Sequence, residues 1–520
     1  MAKIGIVGGG IAGLYCAREL LRKHHVVTIY ECLERLGGRI ETQDLHGFKA
    51  ECGPMRFERK IEPLFEALTK ELEVEFSPFT PPRSGVSDFP KYDLRANEMS
   101  AEHKQAVAKG SKPVGDSADL IGNFSQHTSA LDLLRFGIYR VFHHDAASLK
   151  LTLDEVVSGN DKSKISEYAK KLGDVEYDYI RTKQELYGVH LHNLGFWNAL
   201  SRVLSPGAIA KIRETGTFYH LLPENPSAAE WSIFWLRLFR PDADLWTIKD
   251  GVEIVVKRLE AEIRKSKRLT IFTRTTIEGI IQDVKTGNLR LRTASGILKP
   301  RFDHVILAVP AVPLRELSDA FPREIRSYVS GVIPFPLLKV FVVIRDPWWV
   351  SFPQPQEGAH LVPTREVHYF PPESGTKGYG MVMFYTDRPA TSYWHPYVNS
   401  FHDRAQIGQS QELEHELALQ LARLLPQEGR DDDAHVERVE RSIVSFAIRD
   451  WSAPPFGAAS HAWAPRLDVP EALNQLKAFS LTGASGKKNV HICGEAYSDY
   501  QGFIEGALRT AASVVNTITD

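Results

Sequence analysis

Lys3-Ile4-Gly5-Ile6-Val7-Gly8-Gly9-Gly10-Ile11-Ala12-Gly13 opens the chain, and Val26-Val27-Thr28-Ile29-Tyr30-Glu31 follows after a helical stretch. The order is an apolar strand, a glycine turn, an amphipathic helix and a second strand ending on an acid. Leu14, Ala17 and Leu21 recur on one face of the helix. Such a unit binds the ADP half of a dinucleotide. Gly8 permits the tight turn, Gly10 lets the backbone approach a pyrophosphate, and Gly13 lets helix and strand pack closely. The helix N-terminus offers free N–H groups and a partial positive charge to the phosphates. Glu31 falls 21 residues after Gly10, where an acid reaches ribose hydroxyls.

NAD and FAD share this unit. The continuation Glu34-Arg35-Leu36-Gly37-Gly38-Arg39 favours FAD, because it resembles the flavin amine oxidase family. In that family the glycine pair and arginine sit beside the phosphates and the flavin, which implies cofactor contacts for Gly38 and Arg39.

Length and composition set the outer limits. The 520 residues suggest two or three domains. Hydrophobic content of 43% and charged content of 25% are those of an ordinary globular chain. The 63 basic and 65 acidic residues leave a net charge of −2, which argues against electrostatic capture of nucleic acid or an anionic membrane. No run of 18 apolar residues marks a membrane span. The first strand begins at Lys3, leaving no room for a signal peptide, so the expected compartment is the cytoplasm. Cys16, Cys32, Cys52 and Cys493 form no CxxC pair and read as small hydrophobes in a reduced environment.

Further strands are expected at Leu269–Thr273, Glu278–Val284, Leu289–Thr293, Asp303–Val309 and Val490–Cys493, the last followed by a helix carrying Leu508, Ala511, Val515 and Ile518. The expected fold class is α/β: a Rossmann-type FAD-binding domain assembled from discontinuous segments, a mixed-sheet substrate domain and a helical domain. The expected boundaries are 1–60, 247–330 and 480–520 for the first, 61–128 and 331–479 for the second, and 129–246 for the third. Pro78, Pro81, Pro82, Pro90 and Pro113 make the region after residue 61 loop-rich. Asp431-Asp432-Asp433 reads as a solvated loop.

Gly53-Pro54-Met55-Arg56-Phe57 resembles a motif of the family's L-amino acid oxidases, whose arginine holds the substrate carboxylate. The resemblance implies that role for Arg56, with Met55 and Arg56 also beside the cofactor. Guanidinium suits it, because two parallel N–H bonds fix a carboxylate's orientation as well as its charge. The other reading is an arginine paired with a buried acid. Tyr385, ending the Met381–Phe384 run, matches a tyrosine that supports the same carboxylate, and Tyr369 matches a second site tyrosine. Both also fit as core aromatics. Lys339 lies inside the apolar run Leu337–Val342, with Trp348-Trp349 downstream, and burying its charge needs a reason. The resemblance makes it the lysine that holds a water near the flavin, and an edge strand facing solvent is the alternative.

Gly494-Glu495-Ala496 and Gln501-Gly502-Phe503-Ile504-Glu505-Gly506 resemble the family's C-terminal flavin motif. This implies that Glu495, Gly502, Phe503 and Ile504 bind the cofactor and that Gly502 and Phe503 border the substrate. Ser460 stands where monoamine oxidases carry the cysteine that attaches FAD, so the FAD is expected to be non-covalent. His461 and Phe503 stand at the positions of their two cage tyrosines, which argues against a simple amine substrate.

The implied activity is oxidative deamination of an L-amino acid to a 2-oxo acid, ammonia and hydrogen peroxide, with oxygen as acceptor and Lys339, Arg56 and Tyr385 as catalytic residues. A basic substrate is the expectation drawn from Glu224, Glu230, Asp242 and Asp244 in the helical region, although solvated helix-surface acids are the default reading of each. His220 is a candidate site histidine or a core one. The implied partners are the L-amino acid and oxygen, with no nucleic acid, membrane or metal, in a homodimer. An amino-acid 2-monooxygenase, a monoamine or polyamine oxidase and a non-catalytic flavoprotein are the competing readings.

Overall fold

A strand at Lys3–Val7 (β1) occupies the middle of a five-stranded sheet. Helix α1 runs from Ile11 to Arg22, and β2 spans Val26–Tyr30. The spatial order is Leu269–Phe272, β2, β1, His304–Leu307 and Val490–Ile492, with every pairing parallel. Parallel strands buried on both faces need apolar side chains throughout, and Ile4, Ile6, Val27, Ile29 and Ile306 are fully buried. The computed structural model describes residues 1–79, 129–145, 147, 150–157, 163–215, 224–242, 244–350, 358–359, 363–364, 366–387, 390–398, 403–408, 410–424, 432–483 and 486–519. Pro81, Pro82, Pro90, Pro113, His220 and Asp431 lie outside them.

One face of this sheet is covered by α1 and the helices Glu253–Ile263 and Ile504–Thr519, which share a continuous apolar core. The other face is covered by an antiparallel three-stranded sheet, Gly279–Gln282, Leu289–Thr293 and Gly296–Ile297, and by the helices Ala311–Glu316, Arg323–Ser330 and Val469–Leu476. The nucleotide layer therefore reaches beyond the expected boundaries. Helix Pro63–Glu71 contributes Phe65 and Leu68 to the core around α1, and helix Val469–Leu476 joins the opposite face.

A second, six-stranded sheet has the order Gly358–Ala359, Glu366–Phe370, Gly380–Thr386, Leu338–Ile344, Ile443–Asp450 and Gln406–Ile407. All its pairings are antiparallel, where a mixed sheet was expected. The strand Leu338–Ile344 is central and buried at every position, so Lys339 is an interior residue and not an edge residue.

The third layer is helical. Ala130–Phe142, Lys164–Lys170, Asp174–Thr182, Pro206–Thr215 and Ala228–Leu238 are its main helices, with a short hairpin at Glu185–Leu186 and Val189–His190. Its apolar core continues into Phe335 and Ala462 of a two-stranded ribbon, Val332–Phe335 with Ser460–Trp463. That ribbon joins the helical layer to the rest of the molecule. Among the described residues no helix is long and apolar enough to cross a membrane, and no group of three or more His, Cys, Asp or Glu could hold a metal. Cys16, Cys52 and Cys493 are buried thiols, and Cys32 is half-buried.

Candidate active site

The three layers enclose a cavity of about 1260 Å³. That exceeds the roughly 300–1,000 Å³ of an ordinary small-molecule pocket and suits a dinucleotide together with a substrate. Gly8, Gly10, Glu31, Gly38 and Arg39 line one end. Met55, Arg56, Lys339 and Tyr385 line another part, and Glu495, Gly502, Phe503 and Ile504 complete the set.

Local sterics explain why the glycine motifs converge. A Cβ on Gly13 would stand 2.0 Å from the Gly8 carbonyl oxygen, so α1 reaches its place only with glycine there. A Cβ on Gly53 would stand 2.0 Å from the Arg39 carbonyl oxygen, so the Gly53–Phe57 segment is pressed against the Gly37–Arg39 turn. Gly10 differs. Its nearest contact for a Cβ is the Gly38 Cα at 3.9 Å, which leaves open the cradle that a pyrophosphate would fill. Glu31 is fixed beside it: Oε2 accepts the Gly9 N–H at 2.7 Å, and Oε1 accepts the Leu33 N–H at 2.9 Å and the Cys32 thiol at 3.3 Å. The open cradle, the helix N-terminus and the fixed acid fit the ADP half of FAD.

Glu495 is a hub of the lining next to Arg39. It accepts the Gly502 N–H at 2.7 Å and the His461 ring N–H at 2.8 Å, and pairs with Arg39 at 3.0 Å. Burial alone would raise its pKa, but His461 and Arg39 hold it at about 2. Arg39 also donates to the Ala459 carbonyl at 2.7 Å. Burial lowers the pKa of His461, against the pull of Glu495; Nδ1 faces Glu495, and Nε2 accepts the Ala311 N–H at 3.4 Å. His461 does not line the cavity. The expected substrate contact is corrected to a supporting one behind Glu495. Phe503 does line the cavity, beside Phe234 at 6.1 Å and Tyr500 at 5.1 Å between ring centroids.

The six-stranded sheet supplies a row of cross-strand neighbours. Tyr385 is opposite Glu366 on one side and Lys339 on the other, and all three line the cavity. Lys339 Nζ donates to the Glu51 carbonyl at 2.9 Å and the Gly53 carbonyl at 2.7 Å, and lies 4.7 Å from the centre of the Tyr385 ring. Burial pushes its pKa down to about 8. Tyr369 is elsewhere. It is three residues from Glu366 on the same strand, and the alternation of side chains sends it to the opposite face. There it packs 5.3 Å from Trp349, and it does not line the cavity, so its assignment to the site is corrected.

None of the four acids expected to meet a basic side chain lines the cavity. Glu230 binds Arg181 through both oxygens, at 2.8 and 3.2 Å. Asp242 pairs with Arg240 at 3.2 Å, and Asp244 accepts the Trp246 indole N–H at 2.9 Å. Glu224 lies apart from the lining. The helix Ala228–Leu238 instead lays Phe234, Trp235, Arg237 and Leu238 on the cavity, and Glu58, Glu62 and Tyr500 join them. The sequence signal for this roof was the aromatic pair Phe234-Trp235 followed by Arg237 in a largely apolar helix, which periodicity alone reads as core.

A family model for flavin containing amine oxidoreductase matches residues 11–519. The chain belongs to this family. Membership implies a flavin cofactor, and the cavity carries the nucleotide motif on its lining. Over 98% of the chain and 89% of the relative, it is 21% identical to aplysianin-A of Aplysia kurodai. It is 33% identical to an L-amino acid oxidase of Bothrops pictus over 106 residues, which cover 20% of this chain and 17% of that relative. In fold it resembles a putrescine oxidase solved with putrescine bound, with a TM-score of 0.64 at 14% identity over 100% of this chain and 99% of that one.

Proposed function

We propose that this family member oxidatively deaminates an L-α-amino acid, with FAD held non-covalently. One observation carries the reading: Arg56 and Tyr385 line the same cavity as the nucleotide motif, with Lys339 between them and the Gly53 segment. A guanidinium in that position suits a carboxylate-bearing substrate and opposes a simple amine, whose cation it would repel. The relatives named L-amino acid oxidase agree with it.

Gly10, Glu31, Arg39, Glu495 and Gly502 would hold the FAD, and the bound flavin supplies a two-electron acceptor. Arg56 and the Tyr385 hydroxyl bind the substrate carboxylate and orient the Cα–H bond. Lys339 keeps the Gly53–Phe57 segment in register through two backbone carbonyls, and its third N–H is left for a water. Phe234, Trp235 and Phe503 form apolar walls that exclude bulk water from the reacting carbon. The substrate amine gives up its proton before the C–H bond breaks, and the imino acid hydrolyses to the 2-oxo acid and ammonia. Ser460, at the cavity wall, offers no thiol for covalent attachment.

Anaerobic mixing of the flavin-loaded protein with a panel of L-amino acids, one D-amino acid and a diamine tests the reading. Bleaching of the flavin by L-amino acids, and not by the D-form or the diamine, is expected. Bleaching by the diamine alone would make Arg56 structural and the protein an amine oxidase. Product analysis then separates a 2-oxo acid from the amide that a monooxygenase would release.

A further inference from the structure

Arg237 belongs to no part of the machinery described so far. It is 8% exposed, on the helix Ala228–Leu238, and its side chain lines the cavity. Its guanidinium lies 4.2 Å from the centre of the Tyr500 ring and 4.7 Å from that of Tyr177. Two aromatic faces so placed hold the group in one plane. Of its five N–H donors, one bonds the Asp499 carbonyl at 3.2 Å, and the Tyr177 hydroxyl lies beside it. Beyond these contacts no further hydrogen bond to its guanidinium is seen among the described residues, and the residue lines the cavity.

The charges around it are already assigned to one another. Glu230 is taken by Arg181, and the Asp499 carboxylate is taken by Arg509 at 3.1 Å. Arg509 also holds Glu505 at 3.2 Å. Among the described residues no carboxylate is within ion-pair distance of Arg237. The cavity acids nearby do not fill the gap: among the described residues neither Glu58 nor Glu62 makes an ion pair with Arg237, and Glu62 uses only one of its oxygens on the backbone. Glu58 accepts the Asp244 and Lys60 N–H groups, and Glu62 accepts the Glu58 N–H at 3.0 Å. A buried guanidinium without a carboxylate is costly unless something else pairs with it.

We propose that Arg237 reads the far end of the amino-acid substrate and selects a side chain that ends in a planar oxygen acceptor, a carboxylate or a carboxamide. Arg56 takes the α-carboxylate and Arg237 takes the second acceptor. A side chain ending in ammonium or guanidinium brings like charge to Arg237 and is disfavoured. This rests on the amino-acid oxidase reading and reverses the basic preference expected from the helical acids.

The test uses the flavin-loaded full chain, as wild type, Arg237→Gln and Arg237→Lys. Anaerobic flavin reduction is followed with L-glutamate, L-glutamine, L-leucine and L-arginine. Glutarate and valerate, which carry two carboxylates and one, are compared for their effect on melting temperature. Wild type is expected to favour L-glutamate or L-glutamine, and the two arms say whether carboxylate or carboxamide is preferred. In Arg237→Gln the efficiency ratio of the favoured substrate to L-leucine falls about ten- to a hundred-fold, through binding more than through the limiting rate. Arg237→Lys restores part of the L-glutamate ratio and less of the L-glutamine ratio, because a point charge replaces the planar fork. Glutarate stabilises wild type more than valerate does, and Arg237→Gln loses the difference.

A wild-type preference for L-leucine or L-arginine, or an unchanged ratio in both variants, overturns the proposal. If no L-amino acid reduces the flavin, the oxidase reading fails first. Equal shifts with glutarate and valerate then overturn the Arg237 assignment independently. Should Arg237→Gln not fold, the wild-type profile and Arg237→Lys decide by the same ratios.

Discussion

Arg56 and Glu62 lie six residues apart on one wall of the cavity and carry opposite lessons. Arg56 is useful charged. Charge-assisted hydrogen bonds are worth about 1.5–3 kcal/mol each. Losing two in Arg56→Ala should lower kcat/KM for an L-amino acid by about 10²–10⁴ while the flavin content, read from the visible absorbance, is retained. Unchanged steady-state kinetics would remove Arg56 from the site. Glu62 is a buried acid with Oε2 lacking a partner. Burial first, then Glu505 and Glu58, push its pKa up to about 8, against the Glu58 N–H bond and Arg509. The folded chain thus keeps a proton that the unfolded chain releases once pH passes 4.5. Stability contributed at Glu62 is present below that value and is lost as pH rises to about 8. Glu62→Gln removes this dependence. Urea unfolding should show the variant gaining about 4–5 kcal/mol on wild type between acid and mildly alkaline pH. Parallel pH profiles for the two proteins would contradict it.

Among elements, α1 and the turn before it separate two glycine functions. Gly13→Ala places a methyl group 2.0 Å from the Gly8 carbonyl oxygen, so α1 must move off β1. Overpacking of that kind costs about 1–3 kcal/mol or more, and the variant should melt earlier and bind less FAD. Gly10→Ala meets nothing closer than 3.9 Å, so the apo fold should keep its melting temperature while the new methyl occupies the phosphate approach. Thermal melts of both apo proteins, with FAD titrated by fluorescence quenching, distinguish the two. Equal FAD affinity in Gly10→Ala and wild type would show that the turn does not face the pyrophosphate. The six-stranded sheet makes a similar point. Glu366, Tyr385 and Lys339 reach the cavity because they are directly opposite across three strands, and Tyr369 misses it by an odd number of residues.

At the scale of the molecule, the cavity is walled by segments from residue 7 to residue 507, so a ligand in it links both chain ends. Binding to the folded state alone stabilises by about 2.7 kcal/mol at a hundred times the dissociation constant. The melting temperature of apo protein should therefore climb with added FAD, and a flat titration would count against this site. The nucleotide unit was legible from residues 3–39 because its causes are local: strand, turn, helix and acid follow one another at fixed spacings. The Gly53–Phe57 and Gly494–Gly506 motifs were legible through their resemblance to the family, since each is a short run of neighbouring residues, and both supply residues that line the cavity. The position of Lys339 in an apolar run already announced a buried charge. The fate of Tyr369, His461 and the four helical acids was not legible. Each depends on strand register, on a partner more than thirty residues away, or on which side of a helix meets the other layers. Arg237 was hidden for that reason too: the sequence shows an arginine near the end of a largely apolar helix, and only the packing of Tyr177, Tyr500 and the Asp499 carbonyl around it sets its place on the cavity. Local backbone chemistry is written in consecutive residues, whereas the side chains that select a substrate are brought together by contacts distant in the chain.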